Sequence, residues 1–156
     1  MGQRADALAD DFEQVIAELA RLVDVLSDAE WATRTESEGW TVAATARHIV
    51  WGYGFLGGRL DAIVNGERPG NPGDIHAENA ENAERYADVP REEVLGLLQT
   101  TGAERTGRVR GYTDEQLDLS FTVPSGQTMT VAQLIQGALI GHVRGHTASI
   151  RQTLGL

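Results

Sequence analysis

The sequence predicts an all-α fold, a four-helix bundle with a long connection between its third and fourth helices. Three observations predict it. Apolar residues recur three and four positions apart along four separate stretches. Good helix N-caps stand where two of those stretches begin. Each stretch has one apolar stripe, and bundling buries all four stripes together.

The first helix is expected over residues 5–27. Leu8, Phe12, Val15, Leu19, Leu22 and Leu26 form its seam, with charges on the opposite face. Ser27-Asp28-Ala29-Glu30 has the form of a capping box opening a short turn. Residues 31–40 read as a loop ending in Gly39-Trp40-Thr41, with Thr41 as the cap of a second helix over about 42–64. Val42, Ile49, Phe55, Leu56, Leu60 and Ile63 support that helix. Gly52, Gly54, Gly57 and Gly58 weaken it by roughly 1 kcal/mol each relative to alanine. These glycines leave three readings open: a close helix–helix approach, room beside His48, or a break in the helix.

Asn65 to Gly73 is a loop by its Gly, Pro and Asn content. A third helical region follows over about 75–110, with an interruption expected near Asp88-Val89-Pro90, because a proline opens a fresh helical turn more easily than it continues one. Thr113 to Gln116 starts a short turn or helix. Ser120 to Val123 and Gln127 to Met129 flank Pro124-Ser125-Gly126, as either a small hairpin or an extended loop. Thr130 caps the last helix, expected over about 131–153 and ended by Gly155. No internal repeat and no low-complexity tail interrupts this layout, and residues 1–156 are expected to form one domain.

Composition narrows the chemistry. The chain has 156 residues, of which 41% are hydrophobic, so a sizeable core is available. It has no cysteine, which removes disulfides, thiolate nucleophiles and cysteine-type zinc sites. All its basic residues are arginine, so Schiff-base chemistry on lysine is excluded too. A net charge of −10 repels phosphate backbones and anionic bilayers, so neither nucleic acid nor membrane is an expected partner. Met-Gly-Gln-Arg-Ala-Asp leads into an amphipathic pattern and not into an apolar leader, so a cytoplasmic location is expected. No phosphate-loop motif, dinucleotide fingerprint or nucleophile elbow is present.

Histidines carry the strongest functional signal. His142 and His146 stand four apart in Ile-Gly-His-Val-Arg-Gly-His-Thr. On a helix they share a face, the same one as Ile135, Ala138, Ser149 and Ile150. Such a pair is either two separately hydrogen-bonded rings or two ligands of one metal ion. His48, on a sequence-distant helix, favours the second reading as a third ligand that leaves coordination positions open. His76, near Glu78 and Asn79, reads more simply as an exposed loop-end residue. Trp40, Trp51 and Phe55 read as core packing in preference to pocket walls. Arg144 and Arg151 read as surface ion-pairing residues in preference to binding groups for a carboxylate or a thiol cofactor.

Two segments carry a resemblance. Gly-Trp-Thr-Val-Ala-Ala-Thr-Ala-Arg-His-Ile-Val, at residues 39–50, resembles the second-helix motif of the DinB-like (YfiT-like) superfamily. His-Val-Arg-Gly-His-Thr-Ala-Ser-Ile-Arg-Gln-Thr-Leu-Gly, at residues 142–155, resembles its last-helix motif. Length, helix order and the long mid-chain connection match as well. The resemblance implies a divalent metal, zinc or nickel, held by His48, His142 and His146. It implies a homodimer and a small-molecule substrate. It also implies thiol transfer or isomerisation with a low-molecular-weight thiol such as bacillithiol, mycothiol or glutathione, or else hydrolysis. The N-terminal domain of the mycothiol-dependent maleylpyruvate isomerases is similar in its Gly-Trp-Thr-Val opening. Those enzymes carry a glutamate where this chain has His142, and typically a further C-terminal domain. Both departures count against the isomerase activity itself. The expected function is therefore a metal-dependent S-transferase or hydrolase. The alternative is a helical bundle that binds a metal or small ligand without catalysis. A DNA-damage role follows only from the family's name, and the net charge opposes direct DNA contact.

Overall fold

The structure is a computed structural model and describes residues 2–123 and 125–156. Four long helical segments form the bundle: α1 (Gln3–Val25), α3 (Val42–Val64), α5 (Arg91–Arg110) and a continuous terminal helix. The terminal helix comprises α7 (Val131–Leu134), a π-helical stretch (Ile135–Ile140) and α8 (Gly141–Leu154). α1 packs on α5 and on the terminal helix, and α3 packs on the same two. Phe12 of α1 and Tyr53 of α3 meet edge-to-face across the centre, 5.2 Å between ring centroids. The core they join includes Leu19, Ile49, Leu98, Ile135, Leu139 and Ile150, all essentially inaccessible to water.

Shorter elements fill the connections. α2 (Asp28–Trp31) opens with the capping box expected at Ser27 and Glu30. The first helix therefore stops at Val25, two residues short of the expected boundary, because Ser27 begins a new turn. The interruption expected near Pro90 divides the third region into α4 (Ile75–Arg85) and α5. Val89 is buried at that break and its carbonyl accepts from Trp31 Nε1 at 2.9 Å. The long connection before the terminal helix holds α6 (Asp114–Leu117) and a hairpin of β1 (Ser120–Thr122) and β2 (Thr128–Thr130). Its antiparallel register pairs Phe121 with Met129. Of the expected Pro124-Ser125-Gly126 turn, Pro124 lies outside the described residues. Among the described residues no helix is long and apolar enough to cross a membrane.

The glycines of α3 leave the helix unbroken, and two of them make room for side chains from other helices. A Cβ on Gly57 would lie 2.1 Å from the Arg105 guanidinium carbon. That guanidinium is only 10% exposed and meets Asp61 at 3.0 Å. Tyr112 donates to the same carboxylate at 2.7 Å. A Cβ on Gly52 would lie 2.6 Å from His142 Cε1, whereas Gly54 and Gly58 face open space.

Candidate metal centre

α3 and the terminal helix bring the three predicted histidines together. One ring nitrogen of each of His48, His142 and His146 lies within 4.8 Å of those of the other two. The Nε2 atoms of His48 and His142 are 3.0 Å apart. The ring of His146 crosses both others edge-on, at centroid distances of 4.9 Å and 4.7 Å. All three rings are half-buried.

The π-helical stretch ends immediately before Gly141 and His142. A π turn adds a residue per turn and so rotates everything after it relative to a continuous α-helix, which is why such turns cluster at functional sites. Here it sets the direction in which His142 and His146 leave the terminal helix. Gly52 completes the arrangement by giving the His142 ring a place against the α3 backbone.

A fourth residue belongs to the site. Glu38 accepts from His146 Nδ1 at 2.8 Å and from Ser149 Oγ at 2.6 Å. It sits in the loop before α3, held by a tight turn in which Thr35 N donates to the Trp40 carbonyl at 2.7 Å and Gly39 N donates to the Thr35 carbonyl at 3.0 Å. Gly39 takes φ = +73°, a conformation that disfavours any residue with a Cβ. Glu36 N donates to Thr153 Oγ1 at 3.0 Å, tying the loop to the end of α8. Thr41 both caps α3, accepting from Ala44 N at 3.1 Å, and donates to the Ala87 carbonyl at 2.6 Å. Glu38 falls within residues 31–40, which the sequence predicts only as a loop. The available signal was an acid two positions before the Trp-Thr cap of the His48 helix.

Electrostatics hold two of the rings neutral. Burial, followed by the adjacent His142 and His146, pushes His48 down to about 3 against an opposing pull from Glu38. Burial, followed by His146, pushes His142 down to about 4. Burial alone would raise the Glu38 carboxyl, but hydrogen bonds from Ser149, His146 and Thr35 outweigh it and hold the group below the usual carboxylate range. The site thus presents the neutral imidazoles of His48 and His142 and an ionised Glu38 carboxylate at neutral pH. His142 Nδ1 is buried and finds no hydrogen-bond partner among the described residues.

Aromatic rings surround the cluster. Trp40 meets His48 edge-on at 5.1 Å, and Trp51 stacks on His48 at 5.7 Å. Trp51 in turn stacks on Phe55 at 5.0 Å. Trp40, Trp51 and Phe55 are all half-buried and stand outside the fully buried core in which the sequence placed them; Trp40 and Trp51 lie against His48, and Phe55 reaches it only through Trp51. His76 is exposed on α4, as are Arg144 and Arg151 on α8.

Relatives have the same architecture. The chain is 26% identical over 141 residues to the Bacillus subtilis (strain 168) protein named "Putative metal-dependent hydrolase YfiT", covering 90% of this chain and 78% of that one. The solved structure of Bacillus subtilis YfiT, described as an unusual four-helix bundle topology, superposes with a TM-score of 0.80 at 23% identity over 99% of this chain and 90% of that one. A crystal structure of the mycothiol-dependent maleylpyruvate isomerase superposes with a TM-score of 0.74 at 14% identity, covering 96% of this chain and 63% of the isomerase. An uncharacterised protein from Clostridium difficile 630 superposes with a TM-score of 0.77 at 12% identity over 100% of this chain and 98% of that one. The pattern of the DinB superfamily matches residues 11–150, and the chain belongs to that family.

Proposed function

We propose that His48, His142 and His146 hold one divalent cation, and that the protein is a metal-dependent hydrolase acting on a small molecule. The observation that carries this reading is the convergence of three ring nitrogens within 4.8 Å, from two helices, with a carboxylate behind one of them. The donors fit a cation. Two neutral imidazoles whose Nε2 atoms face each other at 3.0 Å can make only one hydrogen bond between them, whereas a cation accepts both lone pairs. With Nδ1 of His146 bonded to Glu38, its Nε2 is left for the cation. Glu38 supports this role as carboxylates behind metal-bound histidines commonly do, fixing tautomer and orientation and raising ligand basicity. Three nitrogen ligands suit zinc or nickel and leave positions for water or substrate.

When bound, such a cation lowers the pKa of a coordinated water or thiol and polarises an electrophile. The chain's own part is to orient the rings, keep His48 and His142 unprotonated and exclude bulk water with Trp40 and Trp51. The name of the Bacillus subtilis relative favours hydrolysis. Thiol transfer is the second reading. The chain has no cysteine, so that thiol would come from a low-molecular-weight cofactor. Homodimerisation and a cytoplasmic location belong to the same reading and rest on the family.

Metal analysis by mass spectrometry on untagged protein tests the proposal. About one equivalent of zinc or nickel is expected in the wild type, and little in His142→Ala. Equal, negligible metal in both after incubation with excess cation would overturn it.

A further inference from the structure

An apolar cavity of about 270 Å³ lies between α3 and the terminal helix, separate from the histidines. Its walls include Phe55 of α3, Leu134 and Ala138 of the terminal helix, Ile75 at the start of α4 and Phe121 of the hairpin. Arg59 is the one charged residue among them, and it is occupied elsewhere. Its Nη1 donates to the Gly70 carbonyl at 2.9 Å, and its guanidinium lies 5.6 Å from the centre of the Phe55 ring. The cavity therefore offers shape and apolar surface, with little hydrogen-bonding capacity.

Its position ties it to the metal centre. Residue 48 faces 142 and 146, while residue 55 shares the cavity with 134 and 138, so α3 and the terminal helix run antiparallel. Ala138 is one turn before His142, roughly 6 Å along the axis, and Phe55 is two turns after His48, roughly 10 Å. Both steps lead the same way in space. Trp51 covers the interval, stacked on His48 on one side and on Phe55 on the other. The stacked rings of Trp51 and Phe55 thus lead along α3 from the imidazoles to the cavity. Two connections that a bare bundle does not need, the 65–73 loop through Pro72 and the β1–β2 pair through Phe121, close over its far end.

We infer that this cavity receives the apolar arm of the same small molecule whose reacting group meets the histidine centre. The substrate class is an ester, amide or comparable electrophile carrying a short alkyl or aryl chain. An apolar cavity of about 150 Å³ takes up benzene, so about 270 Å³ accommodates roughly ten non-hydrogen atoms. Selection is by length and bulk, since the walls make few polar contacts. This inference rests on the metal reading above, and its test separates the two.

The test uses two probes. A series of straight-chain hydroxamates from two to ten carbons is titrated calorimetrically into zinc-loaded protein, the hydroxamate taking the metal and the chain extending from it. 1-Octanol is titrated separately into metal-free protein. The expected result is affinity rising with chain length, by up to about fourfold for each methylene that enters the cavity, with octanol binding unaided. Ala138→Phe, which fills the cavity, should lower the ratio of octano- to acetohydroxamate affinity, and Phe121→Ala should extend the rise to longer chains. Hydroxamate affinity that stays flat from two to ten carbons overturns the inference whatever octanol does, and leaves the metal reading intact. Octanol binding with no hydroxamate binding overturns the metal reading, and with it the shared substrate.

Discussion

Gly52→Ala separates metal binding from folding in a single methyl group. The added Cβ would lie 2.6 Å from His142 Cε1 and 2.9 Å from His142 Nδ1. Ordinary contact is about 3.6 Å, so the ring must retreat by about 1 Å or rotate off its rotamer, at about 0.5–1.5 kcal/mol. Metal–ligand distances tolerate only about 0.2 Å. A ligand displaced by several times that amount should weaken binding about tenfold to a hundredfold, comparable to losing a group that orients a ligand. The helix itself gains from the change, since alanine is about 1 kcal/mol better than glycine in a helix interior. The metal-free variant should therefore melt within a few degrees of the wild type. Competition against a chromophoric chelator measures affinity, and thermal unfolding of the metal-free protein measures the fold. Gly54→Ala, on the same helix but facing open space, is the control and should leave metal affinity unchanged. Wild-type affinity in Gly52→Ala would refute the reasoning, because the ring would then have to bind the cation from some other position.

Three further outcomes are expected. Glu38→Gln keeps the shape of the loop but removes the charge behind His146, and should weaken metal binding about tenfold to a hundredfold in the same competition assay. In the unfolded chain His48 and His142 take up protons near pH 6.5, but in the fold only at about 3 and about 4, so the unfolded state binds more protons between these values. The stability of the metal-free protein should accordingly fall as pH drops from about 6.5 to about 5.5, above most of the range where carboxylates titrate. Denaturant midpoints across that window check this, and His48→Gln should flatten the slope. Asp61→Ala strips the nearly buried Arg105 of its counter-ion and Tyr112 of its acceptor, and should cost about 3 kcal/mol in chemical denaturation. Asp118→Ala breaks only an exposed pair with Arg4 and should cost less than about 1 kcal/mol.

Much of the scaffold was legible because helix periodicity and caps are local signals. Thr41 and Thr130 cap the helices where the sequence placed them, and Pro90 opens a new helix as expected. The three histidines converge because two of them follow from i, i+4 geometry and the third from a helix that must pack nearby. Glu38 left only a weak trace, an acid two positions before Trp40, since nothing in a loop's own sequence says which helix it will fold over. The π turn at 135–140 was equally silent: its residues Ile-Gln-Gly-Ala-Leu-Ile fit an α-helical stripe as well. Trp51 and Phe55 show a further limit. An apolar residue at core spacing looks the same in sequence whether its helix face meets another helix or the edge of a cavity. The glycines of α3 carried information only once their neighbours were known, with Gly52 serving His142 and Gly57 serving Arg105.

X-ray absorption at the metal edge of the zinc- or nickel-loaded protein examines the coordination sphere itself. The spectrum should show three imidazole nitrogens in the wild type and two for the weakly held cation that His48→Ala takes up under excess metal. A wild-type spectrum dominated by oxygen ligands, or one that His48→Ala leaves unaltered, would contradict a cation shared between α3 and the terminal helix.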